Sequence, residues 1–490
     1  MSPAAPDRGS TLRDRADTGV AWSAFHIWGT KGLQLGLILV LARLLTPRDF
    51  GLFAMAQVVL SLLHPVAVQG IPEALVQSDR DDDRTWATGF RVVMVGSVAA
   101  AAALVLAAPA LAGLFSASDL TGILRWLAPG ALLYGLHAMA FARIRSELAF
   151  SAHARAGLAG GAAELVVGVA VAAAGFGVWA LVAGFYTTLV VETALLLRAT
   201  GGLPWRGYDA AEYRRLLRFG RYIVAGSFTT FLNRRSDDFF VGLLLGAEVL
   251  GFYNVAYRLL ELMTTVFLRA VDRVAFPVFS KLQSAPRLVA DGIRTSFRFT
   301  SLVAFPAFAG LIMVAPDAVV VALGGQWTPA VAPLRILALG GVALCATNVL
   351  PGAIRAAGYP QWNVTIAAVK GVLLAAAFYA AAGLGLEAVA WVFAVGITLE
   401  FPVYFAAARR LFPLSWRGYL AEAAAPLAGT AVMVAALWLL SPALEGLNPT
   451  LRLTGMVVAG VAVYVGAALL LARGRVKAVY ARARRVTSGR

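Results

Sequence analysis

Arg234, Arg235, Asp237 and Asp238 stand inside a run that otherwise reads as membrane, with Phe219 to Phe231 before them and Phe239 to Leu245 after. Neither flank reaches the roughly 20 apolar residues needed to cross a bilayer. Together they make one crossing with four ionised groups near its middle. A central Asp or Arg costs about 2.5–3.5 kcal/mol on insertion scales, so such groups face protein or a water-filled cavity. Two chemistries fit. On a continuous helix Arg234–Asp238 is an i,i+4 pair, and Arg234–Asp237 and Arg235–Asp238 are i,i+3 pairs, so the segment could neutralise itself. Alternatively the arginines bind a diphosphate through their forked donors, and Asp237 or Asp238 exchanges a proton or its arginine partner.

Other ionisable residues lie in apolar surroundings. Lys31 has Gln34 one turn away and His26 nearby. It sits some 11 residues into its helix, roughly mid-bilayer at ~1.5 Å per residue, which favours a cavity over snorkelling to an interface. Arg258 is followed one turn later by Glu261 in YRLLEL, and Lys370 sits in TIAAVKGVLLAAAF with no obvious local partner. Glu164, Glu192 and Glu400 are intramembrane carboxylates, each either a proton or sodium site or a hydrogen-bonding contact between helices. Arg145 and Arg355 end two helices at equivalent places, as elements of an inner gate or as ordinary cytoplasmic anchors.

Several chemistries are excluded. Cys345 is the only cysteine, so no intrachain disulfide or thiol cluster forms. His26, His64, His137 and His153 lack metal-ligand spacing. The Asp-x-Asp pattern in SDRDDDR at 78–84 opens a helix, where acids favour the N-terminal dipole, and no catalytic domain accompanies it. No metal, no cofactor and no enzymatic activity are expected; a coupling ion, H+ or Na+, is the one co-substrate left open.

The elements that position these residues are membrane helices. The 490-residue chain is 60% hydrophobic and only 14% charged, against about 25% charge in a soluble domain. No cleavable signal is visible. Apolar runs predict about fourteen helices, at 20–44, 50–71, 87–112, 120–141, 157–175, 178–197, 219–245, 250–268, 299–322, 331–354, 362–382, 386–408, 419–440 and 452–472. The net charge of +16 reflects loops rather than a nucleic-acid surface. One set of loops with both tails holds 31 Lys and Arg, and the opposite set holds only Arg43, Arg48 and Arg452. That imbalance predicts cytoplasmic termini. The tail RGRVKAVYARARR is basic, of a kind that binds anionic lipid surfaces.

The chain also repeats itself. RLLTPRDFGLFAMA at 43–56 and LLLGAEVLGFYNVA at 243–256 align at an offset of 200. LRWLA at 124–128 aligns with LRILA at 334–338 at 210, as do Ile144-Arg145 and Ile354-Arg355. GVWA at 177–180 aligns with GLEA at 385–388 at 208, as do Glu192 and Glu400. Six helices per repeat insert both halves the same way up, which implies a pseudo-two-fold axis along the membrane normal and a central site between two lobes. The expected domains are a cytoplasmic tail (1–18), a first lobe (19–210), a second lobe (211–412), two additional helices (413–474) and a basic tail (475–490). Pro47 and Ala247, equivalent at 200, are expected to approach each other when the outer mouth closes.

LILVLARLLTPRDFGLFAMA, FLNRRSDDFFVGLLLGAEVLGFYNVAYRLLEL, AFPVFSKLQ and GGQWTPAVAPLRILAL, in that order, resemble Wzx-type polysaccharide flippases over roughly 20–410. The resemblance implies the MOP superfamily, which includes MATE exporters and lipid II flippases. It further implies an undecaprenyl-diphosphate-linked oligosaccharide as substrate, moved from the inner to the outer leaflet of a bacterial plasma membrane. Membrane lipids and other polysaccharide-assembly proteins are the implied partners. Two rivals stand beside it: a MATE-like exporter of organic cations, disfavoured by the cations Lys31, Arg234, Arg235 and Arg258, and a membrane polymerase or ligase, disfavoured by short outward loops.

The charge segregation makes a topological prediction. In a Cys345→Ala background, a cysteine at Gln326 should react with an impermeant thiol reagent on whole cells. A cysteine at Gln361 should react only after permeabilisation. The reverse pattern would invert the assignment of inside and outside.

Overall fold

The apolar runs fold into helices because a backbone in hydrocarbon must satisfy its hydrogen bonds internally. A computed structural model describes residues 29–78 and 82–487, with the backbone alone for 269, 270, 272–274 and 471–487. The tail 1–18, His26, the Asp79–Asp81 part of SDRDDDR and the side chains of the basic C-terminal tail lie outside the described residues. Every regular element described is helical. In order they are α1 (29–44), α2 (Pro47–Val68), the short α3 (Ile71–Val76), α4 (Asp83–Leu114), α5 (Asp119–Leu127), α6 (Gly130–Ser146), α7 (Phe150–Ala173), α8 (Trp179–Ala199) and α9 (Ala210–Arg234). There follow α10 (Ser236–Phe267), α11 (Arg269–Lys281), α12 (Pro286–Ala322), α13 (Val331–Thr347), α14 (Leu350–Ala356), α15 (Pro360–Ala382), α16 (Leu386–Arg409), α17 (Trp416–Leu420), α18 (Ala424–Leu440) and α19 (Pro449–Thr487).

Among the described residues, twelve helical stretches are long and apolar enough to cross a membrane. The expected fourteen would add α1, of which 29–44 is described, and α9, whose 25 residues are not apolar enough to qualify. The boundaries moved where a helix runs past the bilayer. α12 begins at Pro286 rather than at 299, and the connection expected over 269–298 contains α11. That helix is amphipathic, with Ala275 and Phe279 buried one turn apart.

Two compact units result, Met1–Gly251 and Phe252–Arg490. In the first, α4 packs on α2 and α6, and α8 packs on α6 and α7. In the second, α12 packs on α13, α13 on α16, and α15 on α16. These are the same partnerships at the repeat offsets. α18 and α19 pack on each other and on α12, through Val314, Met433, Leu437 and Met456. The Arg452 guanidinium holds Asp317 of α12 with two hydrogen bonds, Nε to Oδ2 at 2.8 Å and Nη2 to Oδ1.

Charged contacts in the first unit gather at two ends. Arg48 reaches Asp119 at 2.8 Å, joining two connections expected to face outward. At the other end Arg91 Nε donates to the Trp205 carbonyl at 3.0 Å and Arg215 to Ser78 Oγ at 2.9 Å. The three acids that open helices there and at α2 act as caps. Asp82 Oδ1 accepts from Thr85 N at 2.8 Å, and Asp209 Oδ1 from Ala211 N at 2.8 Å. Thr46 and Asp49 form a reciprocal capping box around Pro47. The acids of SDRDDDR that are described therefore serve a helix start, as expected.

The repeat has a direct physical trace inside the first unit. The chain leaves helical geometry at Leu45–Thr46 and again, 200 residues later, at Gly246, whose φ of 86° splits α10 into two segments. The helical turns that follow cross each other. A Cβ on Gly51 would collide with the Ala247 carbonyl, and a Cβ on Gly251 would collide with the Pro47 carbonyl. The contact of residue 47 with 251 is thus returned by 247 with 51, the reciprocity of a local two-fold axis. Leu44 and Leu244, just before the crossing, are 46% and 44% exposed, as equivalent positions should be.

Backbone contact at this crossing requires glycine. Gly51→Ala or Gly251→Ala should destabilise the folded protein by about 1–3 kcal/mol through overpacking. Gly36→Ala in α1, where nothing lies within 4 Å of the new methyl, should be neutral or gain up to about 1 kcal/mol of helix propensity. Thermal unfolding in detergent compares the three.

Candidate functional site

The charged centre is a helix break. α9 ends at Arg234, Arg235 leaves helical geometry with φ −138° and ψ −6°, and α10 starts at Ser236. This corrects the continuous helix expected over 219–245. The break undoes the pairing that a continuous helix would impose. Arg234 and Asp238 do not meet; Arg235 Nη1 instead binds Asp238 Oδ2 at 3.0 Å. Asp237 and Asp238 are buried in the first turn of α10, where the helix dipole favours carboxylates. Arg234 is exposed and makes no hydrogen bond or ion pair among the described residues. One arginine is therefore neutralised locally and its neighbour presents a free fork of donors.

Lys31 is half-buried on α1, with Nζ donating to Gln34 Oε1 at 3.0 Å. That bond keeps the ammonium beside a neutral partner, so its charge remains available. Arg258 and Glu261 are half-buried on the second segment of α10.

The membrane carboxylates have found partners that spacing concealed. Lys370, expected to lack a local partner, donates to Glu400 Oε1 at 3.1 Å from α15 to α16, 30 residues away. The pair lies on the wall of an otherwise apolar cleft of about 610 Å³, lined by Leu373, Trp391, Val395 and Leu399. Glu192 on α8 meets His137 Nε2 of α6 at 3.1 Å. Glu164 Oε2 accepts the Thr188 hydroxyl at 2.9 Å. Metal-ligand spacing does not single out His137, whose partner lies 55 residues away in sequence. Among the described residues no group of three or more His, Cys, Asp or Glu is placed to hold a metal.

The two gate candidates stack on rings. The Arg145 guanidinium lies 5.7 Å from the Phe141 ring of its own helix, and that of Arg355 lies 5.6 Å from Phe276 of α11. Both are cation–π contacts of helix ends.

A family profile described as polysaccharide biosynthesis protein matches residues 40–332, more than half of the chain. The chain belongs to this family. Among relatives of this polysaccharide biosynthesis protein is the succinoglycan biosynthesis transport protein ExoT of Rhizobium meliloti (strain 1021). It is 27% identical over 323 residues, 65% of each chain. The teichuronic acid biosynthesis protein TuaB of Bacillus subtilis (strain 168) is 24% identical over 71% of each chain. The lipopolysaccharide biosynthesis protein WzxC of Escherichia coli (strain K12) is 25% identical over 68% of each. The chain thus spans about two thirds of these relatives, and slightly less of the first. In fold it is similar to the lipid II flippase MurJ in an inward closed conformation, with TM-score 0.77, 12% identity and coverage of 93% of this chain and 100% of that one. An inward-facing MATE transporter of the MOP superfamily gives TM-score 0.60 at 15% identity, covering 80% of this chain and 98% of that one. The multi-pass, all-helical architecture read from the sequence is what these structures share.

The Lys370–Glu400 contact separates a structural pair from a transport site. Lys370→Met alone strands a carboxylate in the membrane and should cost about 3 kcal/mol or more. Adding Glu400→Leu should recover most of that loss. Thermal unfolding of the two variants measures it.

Proposed function

We propose that this polysaccharide biosynthesis protein is a flippase. It moves an undecaprenyl-diphosphate-linked oligosaccharide from the inner to the outer leaflet of the bacterial plasma membrane, with both termini in the cytoplasm. Family membership supports the pathway class, and the similarity to MOP-type folds supports a transporter body. The observation that carries the reading is the exposed Arg234, which makes no hydrogen bond or ion pair among the described residues, at a helix break within a membrane-embedded chain. A guanidinium placed so suits an anion, and a diphosphate matches its two-pronged donor geometry. Lys31, bonded to the Gln34 amide, adds a second cation. This cationic provision disfavours the export of organic cations.

The movement follows from the duplicated crossing. With the turns after Thr46 and Gly246 in backbone contact, the outward side is sealed there. Parting these two turns opens it, while the glycan and diphosphate travel through the polar interior and the polyprenyl tail stays in lipid.

Export in cells lacking the native gene tests the reading. Arg234→Ala should lower surface polysaccharide more than about tenfold at unchanged protein level, as expected for losing a charged hydrogen bond of about 1.5–3 kcal/mol. Lys31→Ala should be similarly severe, and Lys31→Arg should retain part of the activity. Wild-type export by both alanine variants would remove these residues from the path.

A further inference from the structure

The two halves keep the same carboxylate and neutralise it differently. Glu192 and Glu400 are equivalent at an offset of 208. Glu400 is held by Lys370 of α15 and Glu192 by His137 of α6, each at 3.1 Å. The substitutions are complementary. At the position matching Lys370 the first half has Gly160, and a Cβ there would lie 2.7 Å from Glu192 Cγ, so no lysine fits. At the position matching His137 the second half has Thr347, which cannot ionise. Side-chain exposure is 18% and 20% for His137 and Glu192, within helices that cross the membrane.

We infer that His137 and Glu192 form a proton-binding site whose occupancy sets the affinity for an anionic head group; the second clause rests on the function proposed above. With His137 neutral, Nε2–H is donated to the carboxylate and the pair carries a charge of −1. An incoming proton adds at Nδ1, giving an imidazolium–carboxylate pair of net charge zero. Histidine is the side chain whose ordinary range makes that exchange between pH 5 and 8. Lys370–Glu400 is already neutral as an ion pair, so the first half alone changes charge. Removing a negative charge from a low-dielectric body strengthens the binding of a diphosphate.

Other ionisable groups stand on the elements packed against the pair. On α2, His64 stacks on Tyr134 at 3.9 Å. On α7, His153 packs against Phe141, Arg155 bonds the Ser151 carbonyl and Glu164 takes the Thr188 hydroxyl. On α4, Arg91 is held by the Trp205 carbonyl, and on α6 itself Arg143 binds Glu147, while Arg145 lies over Phe141. Glu73 on α3 and Arg125 on α5 complete the set within these helices, and Arg48, Asp49, Asp83, Arg84, Asp119 and Arg198 stand at helix ends. Glu192 has no other hydrogen-bond or ion-pair partner among the described residues.

Full-length protein labelled with 15N-histidine, in bilayers, reports the site directly, because the chain has four histidines and H137Q identifies the signal. His137 should pass from imidazole to imidazolium between pH 8 and 5.5. E192Q should change that transition, because the carboxylate facing the ring is gone, whereas E400Q should leave it in place. A His137 that stays neutral to pH 5.5, or that titrates alike in wild type and E192Q, overturns the proton site. Coupling is read with undecaprenyl diphosphate as the probe. The gain in affinity from pH 8 to pH 6 should be about three- to tenfold larger in wild type than in H137K, where an ammonium fixes the pair as Lys370 does. Equal gains would overturn the coupling. Failure of every variant to bind the probe would overturn it too, along with the substrate class proposed above, while the histidine signals would still decide the proton site.

Discussion

A membrane interior tolerates an ionised group only when something answers its charge. That constraint explains the ion pairs inside this chain's helices. Asp238 is answered by Arg235, Glu400 by Lys370, Glu192 by His137 and Asp317 by Arg452. Each contact also ties two turns or two helices together, so neutralisation and helix packing are served by the same bonds. Arg234 departs from this pattern, and so does Lys31, whose partner is a neutral amide. On the function proposed above, these two cations mark where an anionic ligand is accommodated.

The duplication gives those residues their setting. A break after the first helix of each half lets the following turns cross, and glycines at 51 and 251 allow backbone to touch backbone. Close crossings of this kind have little side-chain interdigitation to undo, which suits an interface that must part and reform. The same duplication then diverges at the partners of its membrane carboxylates. Gly160 excludes the lysine that its counterpart Lys370 supplies, and His137 takes its place from another helix. Equal carboxylates thereby acquire one lysine and one histidine partner.

The flippase function proposed above calls for no covalent chemistry. On that reading the physical problem is to carry a charged head group through hydrocarbon while the isoprenoid remains outside. A cation at a helix break serves that purpose well, because the broken helix leaves side chains and backbone groups able to reorient together. Arg235–Asp238 ties the break together, and on the function proposed above Arg234 is left to recognise the head group.

Composition, hydrophobic run lengths and loop charges determined by themselves that this is a multi-pass helical membrane protein with two homologous halves. Those signals are local or periodic, and solvation by lipid enforces them residue by residue. Lys31, Arg234 and the membrane carboxylates were also legible, because a charge in an apolar run is conspicuous wherever it occurs. Partnership was not. Lys370 and Glu400 are 30 residues apart and His137 and Glu192 are 55 apart, distances over which only helix packing decides what touches. The helix break at Arg235 was equally hidden, since no proline or glycine announces it, and it overturned the pairing that an unbroken helix would have imposed on Arg234 and Asp238. Sequence fixed which groups had to be answered in the membrane; tertiary packing decided by whom, because neutralisation acts through space and depends on which faces the helices bring together.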